Sequence, residues 1–143
     1  MSKEQERVCI YIDGRNFYHY LKDSEVNFPF ADSVHFNYKA FVEELAGNRR
    51  LVAARYYTGI FRNLDGTDRS KKLVRGQQKF LAQIQNDGLI VVPGRILYDK
   101  SRPREKGTDV KIAVDLVVGA VDEIYDTAIL VSSDTDLIPR CGM

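Results

Sequence analysis

Two cysteines and two histidines in 143 residues leave this chain poor in soft metal ligands. Cys9 and Cys141 stand far apart, and no C-x-x-C or Cys/His spacing occurs, so neither a zinc site nor a disulfide framework is supported. Long apolar runs are missing too. None approaches the roughly 18 to 20 residues needed to span a bilayer, so no membrane association is expected. The N-terminus, Met1-Ser2-Lys3-Glu4-Gln5-Glu6-Arg7, lacks the apolar stretch of a signal peptide, which makes the cytoplasm the expected location. There is no G-x-x-x-x-G-K-[ST] phosphate loop and no G-x-G-x-x-G dinucleotide fingerprint. A net charge of +1 neither requires nor excludes nucleic acid.

What remains is an ordinary globular composition, 44% hydrophobic and 29% charged, on a chain long enough for one domain with a real core. Short apolar runs at 8–12, 51–58, 89–92 and 128–131 read as buried strands, with 96–98 extending the third past Pro93-Gly94. Helices are expected at 15–22, 37–46, 71–86 and 109–124, with an irregular stretch at 23–36, a polar loop at 59–70 and a basic loop at 99–107. Strands that are apolar throughout, alternating with helices, predict a mostly parallel sheet covered on both faces. In the last helix Ile112, Ala113, Leu116, Val117, Ala120, Val121 and Ile124 form the expected core stripe. After Asp136 only seven residues follow, where an open α/β domain would add a further helix and strand. The chain therefore reads as one domain, 1–143 with its core at 8–139, cut short at its C-terminus. Apolar surface left bare on that flank could drive formation of a homodimer.

Two of the strands end on aspartates. Val8-Cys9-Ile10-Tyr11-Ile12 runs into Asp13-Gly14-Arg15-Asn16, and Ile129-Leu130-Val131-Ser132-Ser133 runs into Asp134-Thr135-Asp136. A third acidic signal, Lys106-Gly107-Thr108-Asp109, opens the last helix. Carboxylates where parallel strands finish build a site for a hard cation, and carboxylates crowded without one repel. Oxygen ligands alone fit Mg²⁺ or Mn²⁺, which acidify water and stabilise charge developing on a phosphate. Asp115 lies six residues after Asp109, about 240° around a helix, so the two cannot aim at one point from mid-helix. Asp109, at the helix start, is the better ligand candidate, and Asp115 suits a salt bridge to Lys111 or a supporting role. Asn16 can turn its amide toward the mouth that Asp13 faces. Basic residues gather at Arg62, Arg69, Lys71, Lys72 and Arg75 and at Lys100, Arg102, Arg104 and Lys106, as candidate phosphate contacts. His19 reads as packing or surface rather than as a general base. Other phosphate enzymes fit poorly: a haloacid-dehalogenase site needs Asp-x-Asp at the first strand, where position 11 is Tyr.

Tyr11-Ile12-Asp13-Gly14-Arg15-Asn16, the Lys106-Gly107-Thr108-Asp109-Val110-Lys111-Ile112-Ala113-Val114-Asp115 helix and Leu130-Val131-Ser132-Ser133-Asp134-Thr135-Asp136 together resemble the NYN domain family. That family includes the LabA-like proteins and is similar to PIN-like nucleases. The resemblance runs from Val8 to Pro139, with the three segments in the expected order. It implies a Rossmann-like three-layer α/β/α fold of PIN type and a divalent-metal-dependent ribonuclease acting on RNA. By motif, Asp13, Asp109 and Asp134 correspond to metal-binding aspartates, Asp136 completes the acidic cluster, and Asn16 orients a ligand or substrate. Arg15, Arg102, Arg104 and Lys106 would then contact RNA phosphates. The competing expectation is a catalytically silent RNA-binding or regulatory module. It would hold RNA through Arg102, Arg104, Lys106 and exposed aromatics such as Tyr56 or Tyr57, although tyrosines in a strand are more often core residues.

Overall fold

The run Val8 to Ile12 is buried residue after residue, because its two faces meet two different layers of helix. The computed structural model describes residues 5–14, 37–60, 66–99 and 102–132. The helix expected at 15–22, the stretch 23–36, Arg62, and everything after Ser132 lie outside those residues.

Five strands, β1 (Arg7–Asp13), β2 (Arg50–Gly59), β3 (Ile90–Asp99), β4 (Arg102–Lys106) and β5 (Thr127–Val131), form one sheet in the order β4-β3-β2-β1-β5. β3, β2, β1 and β5 run parallel, and β4 pairs antiparallel with β3. Three helices are described, α1 (Tyr38–Ala46), α2 (Asp68–Asn86) and α3 (Thr108–Val121). Val8, Ile10 and Ile12 join Ala54 and Tyr56 on the sheet face covered by Tyr38 and Val42 of α1 and Phe80 and Ile84 of α2. Tyr38, Tyr56 and Phe80 meet edge to face there, with centroids 5.6 to 5.8 Å apart. Cys9, Tyr11 and Tyr57 occupy the opposite face with Ile112 of α3. Strand alternation thus feeds both cores from one apolar run.

Local signals set most boundaries. Asn37 caps α1, its side chain accepting from the Ala40 N–H at 3.0 Å, and Gly47 ends it at a φ of 61°. α2 starts at Asp68, three residues before the expected start at 71, with that carboxylate in the first turn where the helix dipole favours it. α3 closes at Val121, not at residue 124. The Ile124 N–H returns to the Gly119 carbonyl at 2.9 Å, and Glu123 takes the positive φ of 53° that such a closure requires.

Two expectations are corrected. The segment expected as a basic loop at 99–107 contains β4, whose Arg102, Arg104 and Lys106 stand in register with Asp99, Leu97 and Arg95. Nothing in Arg102-Pro103-Arg104-Glu105-Lys106 is apolar, so the strand leaves no hydrophobic signature; it is a charged edge strand, a form that discourages pairing with other chains. Pro93-Gly94 marks where β3 leaves β2, its last paired residue on that side being Gly94, and takes up β4 from Arg95. The second correction concerns α3. Ile112 and Gly119 are buried against the sheet, yet Ala113, Val117, Ala120 and Val121 of the expected core stripe are exposed. A helix whose valines and alanines extend round most of its circumference gives little periodicity from which its inner face can be read.

Candidate active site

In the sheet, β1, β2 and β3 follow one another in one direction, whereas β5 lies on the far side of β1. The strand order therefore reverses at β1, and a crevice opens outside the carboxyl ends of the strands at such a point. Asp13, the last residue of β1, occupies that position and is only 4% exposed. It stands in register with Tyr57 of β2, and it directly follows Ile12, the partner of Val131 of β5. β5 thus delivers Ser132 beside Asp13.

Gly14 makes the turn after Asp13 feasible. A Cβ at that position would collide with the Tyr56 ring and stand 2.7 Å from the Tyr57 carbonyl oxygen. The Tyr56 hydroxyl instead donates to the Gly14 carbonyl at 3.2 Å, fixing the chain just beyond the aspartate.

The start of α3 stands beside Gly94, where the parallel stretch of β3 ends. Gly107, at a φ of 83°, turns the chain from β4 into the helix. Thr108 is buried, and among the described residues it and Asp13 are the buried polar ones. Its Oγ1 has no hydrogen-bond partner. It fits against β3 because Gly94 has no side chain, a Cβ there lying 2.7 Å from Thr108 Oγ1. Asp109, one residue on, is exposed, and its Oδ1 accepts from the Val110 N–H at 3.0 Å.

Asp115 turns the other way. It is half-buried under α3, accepts from the Tyr57 hydroxyl at 2.7 Å through Oδ2, and lies 3.3 Å from Lys111 Nζ through Oδ1. Burial, and then the hydrogen bond to Asp115, push the Tyr57 hydroxyl far above its usual pKa, so it remains a proton donor. The Tyr57 ring stacks on Tyr11 at 6.3 Å, and burial pushes the Tyr11 hydroxyl up to about 12. Asp115 thus sits on the sheet face that carries Tyr11 and Tyr57, while Asp109 faces solvent at the helix start. Sequence reasoning missed the Tyr57–Asp115 pair. The available signal was a tyrosine at the carboxyl end of a buried strand, whose hydroxyl requires a partner.

Tyr56 and Tyr57 are both buried, as expected of strand tyrosines in a core, and so are not exposed rings for stacking bases. Arg102, Arg104 and Lys106 alternate along β4, and Lys106 immediately precedes the Gly107 turn. Arg15, Asn16, Asp134, Asp136 and His19 lie outside the described residues. Within the described residues, no three His, Cys, Asp or Glu side chains stand close enough to hold a metal ion. The donors that are present, the buried Asp13 carboxylate and the unpartnered Thr108 hydroxyl, are hard oxygen groups of the kind a magnesium-like cation takes.

Comparison with known proteins bears on this arrangement. No curated protein matches the chain. Among solved structures, the chain is similar to a protein of unknown function, VPA0982, from Vibrio parahaemolyticus. The two share 23% sequence identity with a TM-score of 0.66, over 95% of this chain and 72% of that one. The likeness shows the fold, a PIN-like α/β architecture. The model of the NYN domain matches residues 7–142, nearly the whole chain, and the chain belongs to that family, within the PIN-like nuclease superfamily.

Proposed function

We propose that the protein is a ribonuclease that hydrolyses RNA phosphodiester bonds at the carboxyl ends of its parallel strands and depends on Mg²⁺ or Mn²⁺. The observation that carries this reading is Asp13, a carboxylate buried to 4% exposure where the strand order reverses. Burying a charge there is costly unless a cation or a dense set of donors compensates it. Membership in a nuclease-like family supplies the reaction class. Asp13, Asp109, Asp134 and Asp136 are the residues assigned to hold the ion, which supplies charge neutralisation at the phosphate.

The chain's own groups do the remainder. Asp13 is fixed by Gly14 and the Tyr56 hydroxyl behind it. Asp115, oriented by Tyr57 and Lys111, holds the middle of α3 against the sheet. Asn16 orients substrate, and Arg15, Arg102, Arg104 and Lys106 attract the RNA backbone. The reading also places the protein in the cytoplasm with its substrate; among the described residues no helix is long and apolar enough to cross a membrane.

Labelled single-stranded RNA incubated with the purified chain and Mn²⁺, Mg²⁺ or EDTA tests this, beside Asp13→Asn. Cleavage that needs metal and disappears in the variant is expected. Full activity of Asp13→Asn sinks the assignment. RNA binding that persists in EDTA, with no turnover at any metal concentration, would instead support the silent RNA-binding module. The burial of Tyr56 and Tyr57 already removes two of the contacts that module was expected to use.

A further inference from the structure

Helix α3 is an outer-layer helix with an apolar outer face. Ile112 and Gly119 point to the sheet. Val110, Val114, Val117, Val118 and Val121 are each 47 to 75% exposed. At about 100° per residue these five valines fall in a sector centred opposite Ile112. Exposed Ala113 and Ala120 border one side of the stripe. The outward side of such a helix is ordinarily polar, and continuous apolar patches of a few hundred Å² mark protein–protein contact.

We infer that this face docks on the same face of a second copy of the chain, the two α3 helices lying antiparallel about a two-fold axis. Spacing is the first argument. Val110, Val114, Val117 and Val121 follow one another at intervals of four, three and four, the seam of a heptad pattern with β-branched residues at every seam position. That series reads the same in both directions, so reversing one helix matches Val110 with Val121 and Val114 with Val117 of the partner subunit. Isologous contacts demand such self-complementarity.

Charge is the second argument. Lys111, which also pairs with Asp115 of its own helix, and Asp122 are both exposed and lie on the same flank of the stripe, one near each end of the helix. An antiparallel two-fold brings Lys111 toward Asp122 of the partner subunit, twice over. Their levels along the axis differ by about 3 Å, within reach of a lysine side chain. Opposed helix dipoles favour the same orientation. Paired patches of a few hundred Å² each approach the roughly 1,000 Å² that specific association needs, so the dimer is concentration-dependent rather than obligate.

Sedimentation equilibrium of the full chain over micromolar concentrations tests this without RNA or metal, so the result stands apart from the ribonuclease reading. The wild type is expected to approach twice the 16.3 kDa chain mass as concentration rises. Val114→Ser/Val117→Ser/Val121→Ser should remain monomeric with unchanged circular dichroism, since these valines are not part of the core. Lys111→Glu and Asp122→Lys should each weaken association, and the double variant should restore it. A wild type that is monomeric throughout, a dimer that survives the serine triple, or larger open assemblies would overturn the inference. A different protein held on the valine face of the wild type would overturn it as well. A double variant no stronger than the single ones refutes the antiparallel pairing.

Discussion

The two ends of the parallel sheet handle charge in opposite ways. At the amino ends, Asp126 and Glu6 meet cations and donors from neighbouring elements. Asp126, just before β5, receives the Arg7 N–H at 2.8 Å and the Arg7 guanidinium at 3.2 and 3.3 Å. Arg7 also donates to the Glu123 carbonyl at 2.8 Å, and Glu6 meets Arg49 at 3.5 Å and Thr127 at 3.1 Å. Toward the carboxyl ends, Asp13 is buried and Asp109 is exposed at the helix start, while Asp115 beneath α3 is held by Tyr57 and Lys111. The first arrangement closes the sheet. In the proposed function the second supplies carboxylates to a cation, and proteins accept the cost of burying such groups at functional sites.

Substitutions at matched positions sharpen that contrast. The largest effect is expected from Asp13→Asn, with RNA cleavage falling about 10²- to 10³-fold, the scale seen when one preorganised charge-stabilising group is lost. Its melting temperature should hold or rise, because a buried amide costs less than a buried carboxylate. Asp126→Asn should do the reverse, lowering the melting temperature while leaving cleavage intact. If both variants lose activity and stability together, the division between the two ends is wrong.

Next in size is Gly14→Ala. The added methyl meets the Tyr56 ring and the Tyr57 carbonyl, and the backbone cannot step aside without moving Asp13. A loss of about 1 to 3 kcal/mol in denaturant unfolding is expected, as for overpacked cores, together with weaker cleavage. Unchanged stability would mean that the close approach after β1 is not real. Tyr57→Phe is milder. It deletes the 2.7 Å hydrogen bond to Asp115 and should cost about 1 kcal/mol, with a smaller drop in cleavage than Asp13→Asn. A loss as large as that of Asp13→Asn would move Asp115 from a supporting role to the centre of the site.

Which of these features the sequence discloses follows from where their physical cause lies. β1 and Asp13 were legible because an unbroken apolar run with an abrupt aspartate is a local pattern. The stop of α1 at Gly47 was legible for the same reason. β4 was not, since its hydrogen bonds to β3 are made by backbone atoms and its side chains are charged. The orientation of α3 was not, because valines and alanines surround it and only packing on Tyr11 and Tyr57 selects Ile112 as the inner residue. The Tyr57–Asp115 contact joins residues 58 apart and exists only once β2 lies beside β1 and α3 crosses over both. Helix geometry separates Asp109 from Asp115, but which of them faces the sheet depended on that same packing choice.

The smallest expected effect concerns the closed end. Hydrogen bonds from the Arg7 side chain and backbone hold the Asp126 carboxyl below its ordinary pKa of 3.8. A carboxyl depressed in the folded state stabilises that state at every pH above its unfolded pKa, and the contribution disappears as pH falls through the folded value. Melting temperature should therefore fall more steeply below about pH 4 in the wild type than in Asp126→Asn, and the two curves should converge at the acid end. Asp126 is solvent-accessible, so salt weakens its pairing with Arg7, and the gap between the curves near neutral pH should narrow in high salt. Parallel curves across the whole range would show that Arg7 is held by the Glu123 carbonyl and the sheet rather than by the Asp126 charge. The amino end would then owe its closure to hydrogen-bond geometry alone, and the electrostatic half of the contrast would rest on the carboxyl end.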